Sequence, residues 1–258
     1  MSYETILLDV EDGIATVTLN RAEVMNAFNP QMRLELTHVL RHVPEMARVL
    51  VITGAGEAFC SGQDIGDAHG AAGESVERIV REEYAPMIEG LVGCPIPTIA
   101  AVNGVAAGAG ASFALAADVV IASENARFIQ AFTRIGLIPD CGATYTLPRQ
   151  IGLPRAMGAA LFGTPVSAAQ AAEWGMIWEA VPEAAFAETI RARAYALAEG
   201  PGEAYRLLKE AMRQSAMNDL PAQLELEAHL QGEAARTRDF QEGTLAFRER
   251  RAPRFEGR

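Results

Sequence analysis

One carboxylate stands in a setting that suits proton chemistry. Asp140 lies in the stretch GLIPDCGATY, directly behind a proline and among apolar or small residues. An aspartate can exchange a proton with a reacting carbon when its surroundings shift its pKa toward neutrality. An aspartate is also a common helix N-cap, here for the following segment ATYTLPRQ. The local sequence leaves both roles open.

Two glycine-rich turns could supply free backbone N–H groups. The segment FCSGQDI follows an apolar run, and NGVAAGAGAS opens a helix of very small residues. Glycine lets a ligand approach the backbone, and a helix N-terminus offers unpaired N–H groups and a positive dipole end. Two such turns that face each other would form an oxyanion hole for the enolate of a bound thioester.

The histidines and cysteines do not form a metal-binding pattern. His38 and His42 are spaced i, i+4 on a predicted amphipathic helix, but without an HExxH motif. The sequence has no CxxC motif, and Cys60, Cys94 and Cys141 are typical of free thiols in a reducing compartment. We therefore predict no metal site and a cytoplasmic protein.

A nucleotide-binding alternative rests on three glycines and a YxxxK pair. Gly104, Gly108 and Gly110 follow a strand and open a helix, and Tyr205 and Lys209 have the spacing found in short-chain dehydrogenases. The glycines lie mid-chain rather than at the first strand, and the YxxxK pair falls within a charged amphipathic helix. No phosphate loop of the GxxxxGKS/T type is present. The sequence therefore disfavours a dehydrogenase.

Charge and hydropathy exclude two classes of partner. The 258 residues carry a net charge of −11, which disfavours nucleic acid and anionic membranes. No apolar run approaches the ~18 residues of a membrane span, and the segment MSYETILLDVEDG lacks the features of a signal peptide.

Lys209 is the single lysine against 21 arginines. The basic segment FRERRAPRFEGR is either a solvated tail or an anion site.

The elements that must position these residues alternate between strands and helices. Asp12 and Gly13 form a hairpin signal between two alternating runs, and Asn29 with Pro30 marks a helix start. Another helix is predicted over 75–91, and the pattern beyond position 142 is helical. Buried strands are predicted at ARVLVITGAG and PTIAAVNG, and a strand pair at DVVIASENARF. This order favours an α/β core with a helical C-terminal region.

Four segments, in this order, carry a resemblance to a known family. They are AFCSGQDI, PTIAAVNGVAAGAGASFALAADVVIASENARF, GLIPDCGATYTLPR and EGTLAFRERRAPRF. Together they resemble the crotonase superfamily, also called the enoyl-CoA hydratase/isomerase family. The resemblance implies an α/β crotonase (ClpP/crotonase-like) spiral of repeated ββα units over residues 1–195, which holds an acyl-CoA site. It also implies a helical region over 196–258 that forms trimers, or hexamers as dimers of trimers.

The resemblance assigns the oxyanion-hole amides to Gln63 and Ala109, the second of which is usually glycine in the family. Hydratases of the family add water with two glutamates. Those positions here are Ser112, which could hydrogen-bond a ligand, and Phe132, which would make the pocket drier. The resemblance therefore argues against an ordinary two-glutamate hydration.

Asp140 is the acidic residue that the resemblance leaves for catalysis. The segments AFTRIGLIPDCGATYTLPR and AAEWGMIWEAV look most like one branch, the ring-1,2-epoxyphenylacetyl-CoA isomerases of phenylacetate degradation, in which the matching aspartate is the acid/base. Burial beside Phe132 and Leu137 would raise the pKa of Asp140. A single carboxylate can take a proton from one carbon and return it to another, which suits isomerisation.

Residues that bind coenzyme A also follow from the resemblance. The loop RAEVMNAF contributes Arg21, Val24, Asn26 and Ala27, and the backbone at 63–65 surrounds the adenine. The remaining positions are Asp64, which we also interpret as a loop-stabilising residue, Ile65, and, near the nucleotide end and often from a neighbouring subunit, Phe247 and Arg250. The family commonly has lysine in place of Arg250 and of Gly66. Arginine can still bind phosphate, whereas glycine cannot.

The sequence thus predicts an acyl-CoA isomerase whose coenzyme A is part of the substrate, with no separate cofactor. The resemblance implies that the substrate is 1,2-epoxyphenylacetyl-CoA, converted to the oxepin, or a 3-enoyl-CoA of fatty acid metabolism, converted to the 2-enoyl form. One alternative is a hydratase in which Asp140 acts with a water. The other is a CoA-binding homologue without catalysis, in which Asp140 is only a cap.

Overall fold

Two sheets of mostly parallel strands form the centre of the chain, in a computed structural model that describes residues 3–64, 66 and 73–257. The large sheet has the order β1 (Ile6–Glu11), β2 (Ile14–Leu19), β3 (Val49–Gly54), β5 (Thr98–Val102), β7 (Val119–Ser123) and β10 (Glu179–Val181). The small sheet has the order β4 (Ala58–Cys60), β6 (Val105–Ala107), β8 (Arg127–Ile129) and β9 (Val166–Ser167). Among the strands of the described residues, only the pairs β1–β2 and β8–β9 are antiparallel.

Helices connect and cover these strands. They are α1 (Pro30–His42), α2 (Gly73–Ile79), α3 (Ala85–Gly93), α4 (Ala109–Leu115), α5 (Ala143–Phe162), α6 (Ala168–Glu173), α7 (Glu183–Ala198), α8 (Gly202–Gln214), α9 (Leu220–Ala234) and α10 (Arg238–Glu249). The predicted start of α1 is confirmed, because the Asn29 side chain accepts the Met32 N–H at 2.8 Å. The helix predicted over 75–91 is interrupted by a π-helical turn, Val80–Tyr84.

Successive strands alternate between the two sheets. β3 in the large sheet is followed by β4 in the small one, β5 by β6, and β7 by β8, and helices follow each pair. This confirms the predicted α/β fold of repeated ββα units. β4, β6 and β8 are parallel, so their carboxyl ends meet at one edge of the small sheet. The turns at Ser61, Gly108 and Gln130 therefore lie at that edge.

The large sheet is buried on both faces by alternate residues. Leu50 and Ile52 of β3 belong to the main core, whereas Val49 and Val51 face a second cluster that contains Ala194 of α7. Side chains of a strand alternate between faces, so a strand buried on both sides has a continuous apolar sequence. This is why the run ARVLVITGAG indicates a buried strand.

Other local predictions have mixed outcomes. The hairpin is confirmed, with Asp12 and Gly13 both at positive φ between β1 and β2. The strands β9 and β10, two and three residues long, were missed because such short strands show no periodicity. Helix α10 lies within the predicted helical C-terminal region, and its last three residues open the segment that was interpreted as a basic cluster.

An ion-pair cluster joins the C-terminal helices to the large sheet. The ammonium of Lys209, on α8, lies 2.5 Å from Asp118 and donates to the Ile96 carbonyl at 2.6 Å. Arg213, one turn later, lies 2.7 Å from the same Asp118. The boundary between 1–195 and 196–258 stays a prediction. No helix in the described part of the chain is long and apolar enough to cross a membrane.

Candidate active site

The edge of the small sheet brings the two glycine-rich turns into contact. A Cβ atom on Gly62 would lie 2.8 Å from the carbonyl oxygen of Ala107 and 3.3 Å from the nitrogen of Ala109. Gly62 also has a φ of +97°, which side chains rarely adopt. The position therefore requires glycine for two reasons, and the turn after β4 packs directly on the turn before α4.

The backbone around Gln63 leaves its N–H free on the side of that contact. Gln63 forms a parallel bridge with Phe28. The Phe28 N–H donates to Gly62 at 2.7 Å, and the Asp64 N–H donates to Phe28 at 3.0 Å. In an extended chain the intervening N–H points to the opposite side. The Gln63 N–H donates to no backbone acceptor among the described residues.

Ala109 supplies the second free N–H. It is the first residue of α4, where an N–H has no partner within the helix. The preceding Gly108 adopts φ 51° and ψ −128°, a conformation that redirects the chain from β6 into α4. The two N–H groups that the sequence singled out thus come from turns in direct contact, as an oxyanion hole requires.

Asp140 is half-buried, which makes ionisation of its carboxyl less favourable than in water. Burial raises the pKa of Asp140, and a hydrogen bond from the Cys141 thiol opposes this only in part. The predicted direction of the pKa is confirmed. The carboxylate oxygen Oδ1 is buried without a hydrogen-bond partner. An unpaired buried acceptor is costly to the fold and available to a ligand proton.

The capping alternative for Asp140 is wrong as stated. The N-cap of α5 is Gly142, at φ 78°, and no side chain caps this helix. Only the backbone carbonyl of Asp140 takes part, by accepting the Ala143 N–H at 3.0 Å. Cys141 and Gly142, both at positive φ, form the tight turn that separates Asp140 from the first residue of the helix.

Tyr84 hydrogen-bonds to the turn after β4. Its hydroxyl donates to the side-chain oxygen of Gln63. Burial raises the pKa of Tyr84, and the Asp140 carboxylate raises it further, whereas the Arg33 guanidinium opposes both effects. Tyr84 and its contact Arg33 were missed by sequence reasoning. The sequence did give a sign of a special role for Arg33, since it is a charged residue next to Met32 and close to Leu36 on the apolar stripe of α1. It gave no such sign for Tyr84.

The residues at the two positions of the hydratase glutamates are both buried. Phe132 is buried, and the tip of its ring is 4.0 Å from the site of a Cβ on Gly108, so it lies against the oxyanion turn. The Ser112 hydroxyl, fully buried, donates to the Gly108 carbonyl at 3.2 Å, and its contact with a ligand stays a prediction.

The predicted CoA loop packs against the turn after β4. Arg21 lies 2.9 Å from Asp64, and its guanidinium also donates to the Ala27 carbonyl at 2.7 Å. The buried Asn26 side chain donates to the carbonyls of Ala55 and Ala58. Val24, half-buried, accepts the Ser61 hydroxyl at 3.3 Å. Asp64 thus stabilises the loop, as expected, and also accepts the Gly66 N–H at 3.0 Å.

The remaining predicted CoA residues are not brought to this site. Phe247 is 86% exposed on α10, and Arg250 is exposed just beyond it. Ile65 lies outside the described residues. Arg251, in the basic C-terminal segment, forms ion pairs with Glu242 and Glu249 in a cleft of mixed charge. Because these carboxylates already neutralise it, Arg251 does not support the interpretation of the segment as an anion site.

The alternative chemistries find no support in the geometry. Over the described ranges, no group of His, Cys, Asp or Glu could hold a metal ion. The imidazole rings of His38 and His42 stack on each other, and the Tyr3 hydroxyl is hydrogen-bonded to His38. Lys209 forms an ion pair with Asp118 and not a contact with Tyr205 of the YxxxK pair. The three cysteines are free and buried, and burial raises the pKa of Cys60 to about 12.

Known proteins resemble this chain over its whole length. The family model for enoyl-CoA hydratase/isomerase matches residues 9–258. A Rhodobacter capsulatus protein named "Probable enoyl-CoA hydratase" is 55% identical, with 100% of both chains covered. The 1,2-epoxyphenylacetyl-CoA isomerase of Escherichia coli is 46% identical, with 99% of both covered. The crystal structure of an enoyl-CoA hydratase from Bacillus anthracis superimposes with a TM-score of 0.94 at 33% identity, over 99% of this chain and 100% of that one.

Proposed function

The chain belongs to the enoyl-CoA hydratase/isomerase family, and from that premise we propose that it is an acyl-CoA isomerase with Asp140 as its acid/base. The observation that carries the proposal is the buried, unpaired Oδ1 of Asp140, a carboxylate that acts electrostatically on Tyr84, the hydrogen-bond partner of Gln63. Coenzyme A is part of the substrate, and no separate cofactor is required.

The reaction needs one proton to leave one carbon and to return to another. The N–H groups of Gln63 and Ala109 donate to the thioester oxygen, which acidifies the carbon next to the carbonyl. The Asp140 carboxylate takes that proton as the enolate forms. The carboxylic acid then returns the proton at the far end of the conjugated system, and the enzyme regains its starting state.

The surroundings of Asp140 favour proton transfer without water. Phe132 presents an aromatic ring at the oxyanion turn, and Ser112 is bonded inside its own helix. Hydration needs a second polar group that orients a water on the double bond. Neither residue supplies a carboxylate for that purpose.

Two substrates fit this chemistry. One is 1,2-epoxyphenylacetyl-CoA, converted to the oxepin, and the Escherichia coli relative that bears this name supports it. The other is a 3-enoyl-CoA, converted to its 2-enoyl isomer. Both have an acidic carbon beside the thioester, so the same two N–H groups and the same carboxylate serve either of them.

Hydration is the second candidate, because the Rhodobacter capsulatus relative is named a hydratase. In that case Asp140 would activate a water. A substrate panel separates the two activities. Purified wild type is incubated with a 3-enoyl-CoA, with crotonyl-CoA and with 1,2-epoxyphenylacetyl-CoA, and the products are separated by chromatography and identified by mass and NMR. Isomers without mass gain support the proposal, whereas a gain of one water from crotonyl-CoA at a comparable rate contradicts it.

The quaternary state and the CoA site complete the proposal. We place the adenine at the loop with Arg21, Val24, Asn26 and Ala27, and we expect Phe247 and Arg250 to reach the CoA of a neighbouring subunit. Their exposure in the single chain fits that arrangement. A trimer or hexamer in the cytoplasm is the expected form, which sedimentation of the purified protein tests.

A further inference from the structure

The side chain of Gln63 is held at its amide oxygen by two donors from different helices. Arg33 of α1 donates from Nη1 at 3.0 Å. Tyr84, at the end of the π-helical turn, donates from its hydroxyl. A guanidinium has donors only, so the atom of the Gln63 amide that faces Arg33 is the oxygen. Since the Tyr84 hydroxyl contacts the same oxygen, Tyr84 is the donor of that hydrogen bond. The amide nitrogen of Gln63 faces the Asp64 carbonyl at 3.3 Å.

Arg33 is itself immobilised by further contacts. Its side chain is 2% exposed, and two of its nitrogens lie 2.7 and 3.0 Å from one carboxylate oxygen of Glu83. It also donates to the Phe28 carbonyl at 3.2 Å and lies over the Tyr84 ring, 4.9 Å from its centre. Arg33 therefore holds both partners of the bridge between Phe28 and Gln63.

We propose that Arg33 and Tyr84 are positioning residues, which clamp the Gln63 side chain so that its backbone N–H stays aimed at the thioester oxygen. This inference rests on the proposed oxyanion role of Gln63. The physical reason is that Gln63 lies in a turn outside the regular strands, where the isolated bridge with Phe28 constrains its orientation less than a full strand ladder would. A buried clamp on the side chain adds to that constraint.

The clamp is useful to catalysis because an oxyanion hole works by preorganisation. A donor that has to reorient during the reaction loses part of its effect on the rate. Displacement of a reacting group by about 1 Å can cost on the order of 100-fold in rate, so a loosened Gln63 should cost about tenfold. The effect should appear in kcat more than in the affinity for the CoA part of the substrate.

Tyr84→Phe removes the donor and keeps the ring, which packs edge-on against Phe28 and under Arg33. We expect kcat to fall about tenfold while KM changes less than about twofold. In a Gln63→Leu background, which lacks the acceptor, Tyr84→Phe should have no further effect. Tyr195→Phe, at an exposed position on α7, is the matched control and should behave as wild type.

A second readout does not depend on turnover. The carbonyl stretch of a bound, unreactive acyl-CoA labelled with ¹³C at the thioester carbon reports polarisation by the oxyanion hole. We expect the wild type to lower this frequency, Tyr84→Phe to lower it less, and Arg33→Lys to fall between them. This result would support the clamp even if the chain showed no isomerase activity.

Three results would overturn the clamp. One is a Tyr84→Phe variant with the kcat and carbonyl frequency of the wild type. Another is an equal loss of kcat in the Gln63→Leu background, since Tyr84 would then act independently of Gln63. The third is a wild type that leaves the carbonyl frequency unshifted, which removes the oxyanion role itself. Thermal melts of each variant confirm that it is folded.

Discussion

At the scale of single residues, Asp140 has two features that lower the stability of the fold and that a purely structural aspartate would not have. Its carboxylate is half-buried, and one oxygen has no hydrogen-bond partner. Asp219 shows the usual structural role, since its side chain caps α9 by accepting the Ala222 N–H at 3.0 Å. A position that sacrifices stability in this way is typical of a functional site.

Asp140→Asn should therefore raise the free energy of unfolding at pH 7. The folded pKa of Asp140 lies above its ordinary value, so burial of the charge destabilises the fold at a pH above the folded pKa. Below the ordinary pKa the carboxyl is neutral in both states, and the difference should shrink toward pH 4. Urea denaturation of both proteins at pH 7 and at pH 4 measures the difference in the free energy of unfolding.

Asp219→Ala is the comparison for that experiment, because it removes a true cap and should lose about 1 kcal/mol. A loss of similar size in Asp140→Asn at pH 7 would contradict the stated environment of Asp140. It would return the aspartate to a structural role.

At the scale of elements, the start of α4 is the part of the oxyanion hole that can be tested most cleanly. Ala109→Pro removes the N–H and keeps the helix, because proline is favoured at the first helical position. We expect kcat/KM to fall by about 10²–10³-fold, the loss found when one oxyanion donor is removed. Ala109→Gly, which keeps the N–H, should retain activity. A proline variant with the wild-type rate would exclude Ala109 as a donor.

How much of these elements could be predicted depended on the range of the interaction. The hairpin at Asp12, the start of α1 at Asn29 and the two glycine turns follow from local chemistry, which a sequence displays directly. The contact of Tyr84 with Gln63 joins residues 21 positions apart through a π-helical turn, which no local pattern announces. The capping prediction for Asp140 went wrong because Gly142 at positive φ takes the cap position.

At the scale of the whole molecule, the single lysine fixes the C-terminal helices to the core. The Lys209 side chain is 9% exposed, and Asp118 in turn accepts the N–H and the hydroxyl of Thr98. This one cluster therefore joins α8 to the segments on which β5 and β7 begin. The lysine is buried there, which explains why it is no part of a dehydrogenase pair.

Lys209→Met should destabilise the fold by about 3 kcal/mol, because it leaves the partly buried Asp118 without its closest cation. Urea denaturation, with sedimentation to follow assembly, measures the loss. Arg193→Met, which breaks an exposed pair with Glu179, should cost far less, because solvent screens that pair. Equal effects of the two variants would contradict the structural role of Lys209.

Hydrogen exchange in D₂O shows whether Asp140 moves the proton. Wild type and Asp140→Asn are incubated with a 3-enoyl-CoA, and deuterium incorporation and double-bond position are followed by NMR. We expect both rates to fall by about 10²–10⁴-fold in the variant, as for loss of a general base, while acyl-CoA affinity stays within about twofold. Equal incorporation by the two proteins would exclude Asp140 as the base.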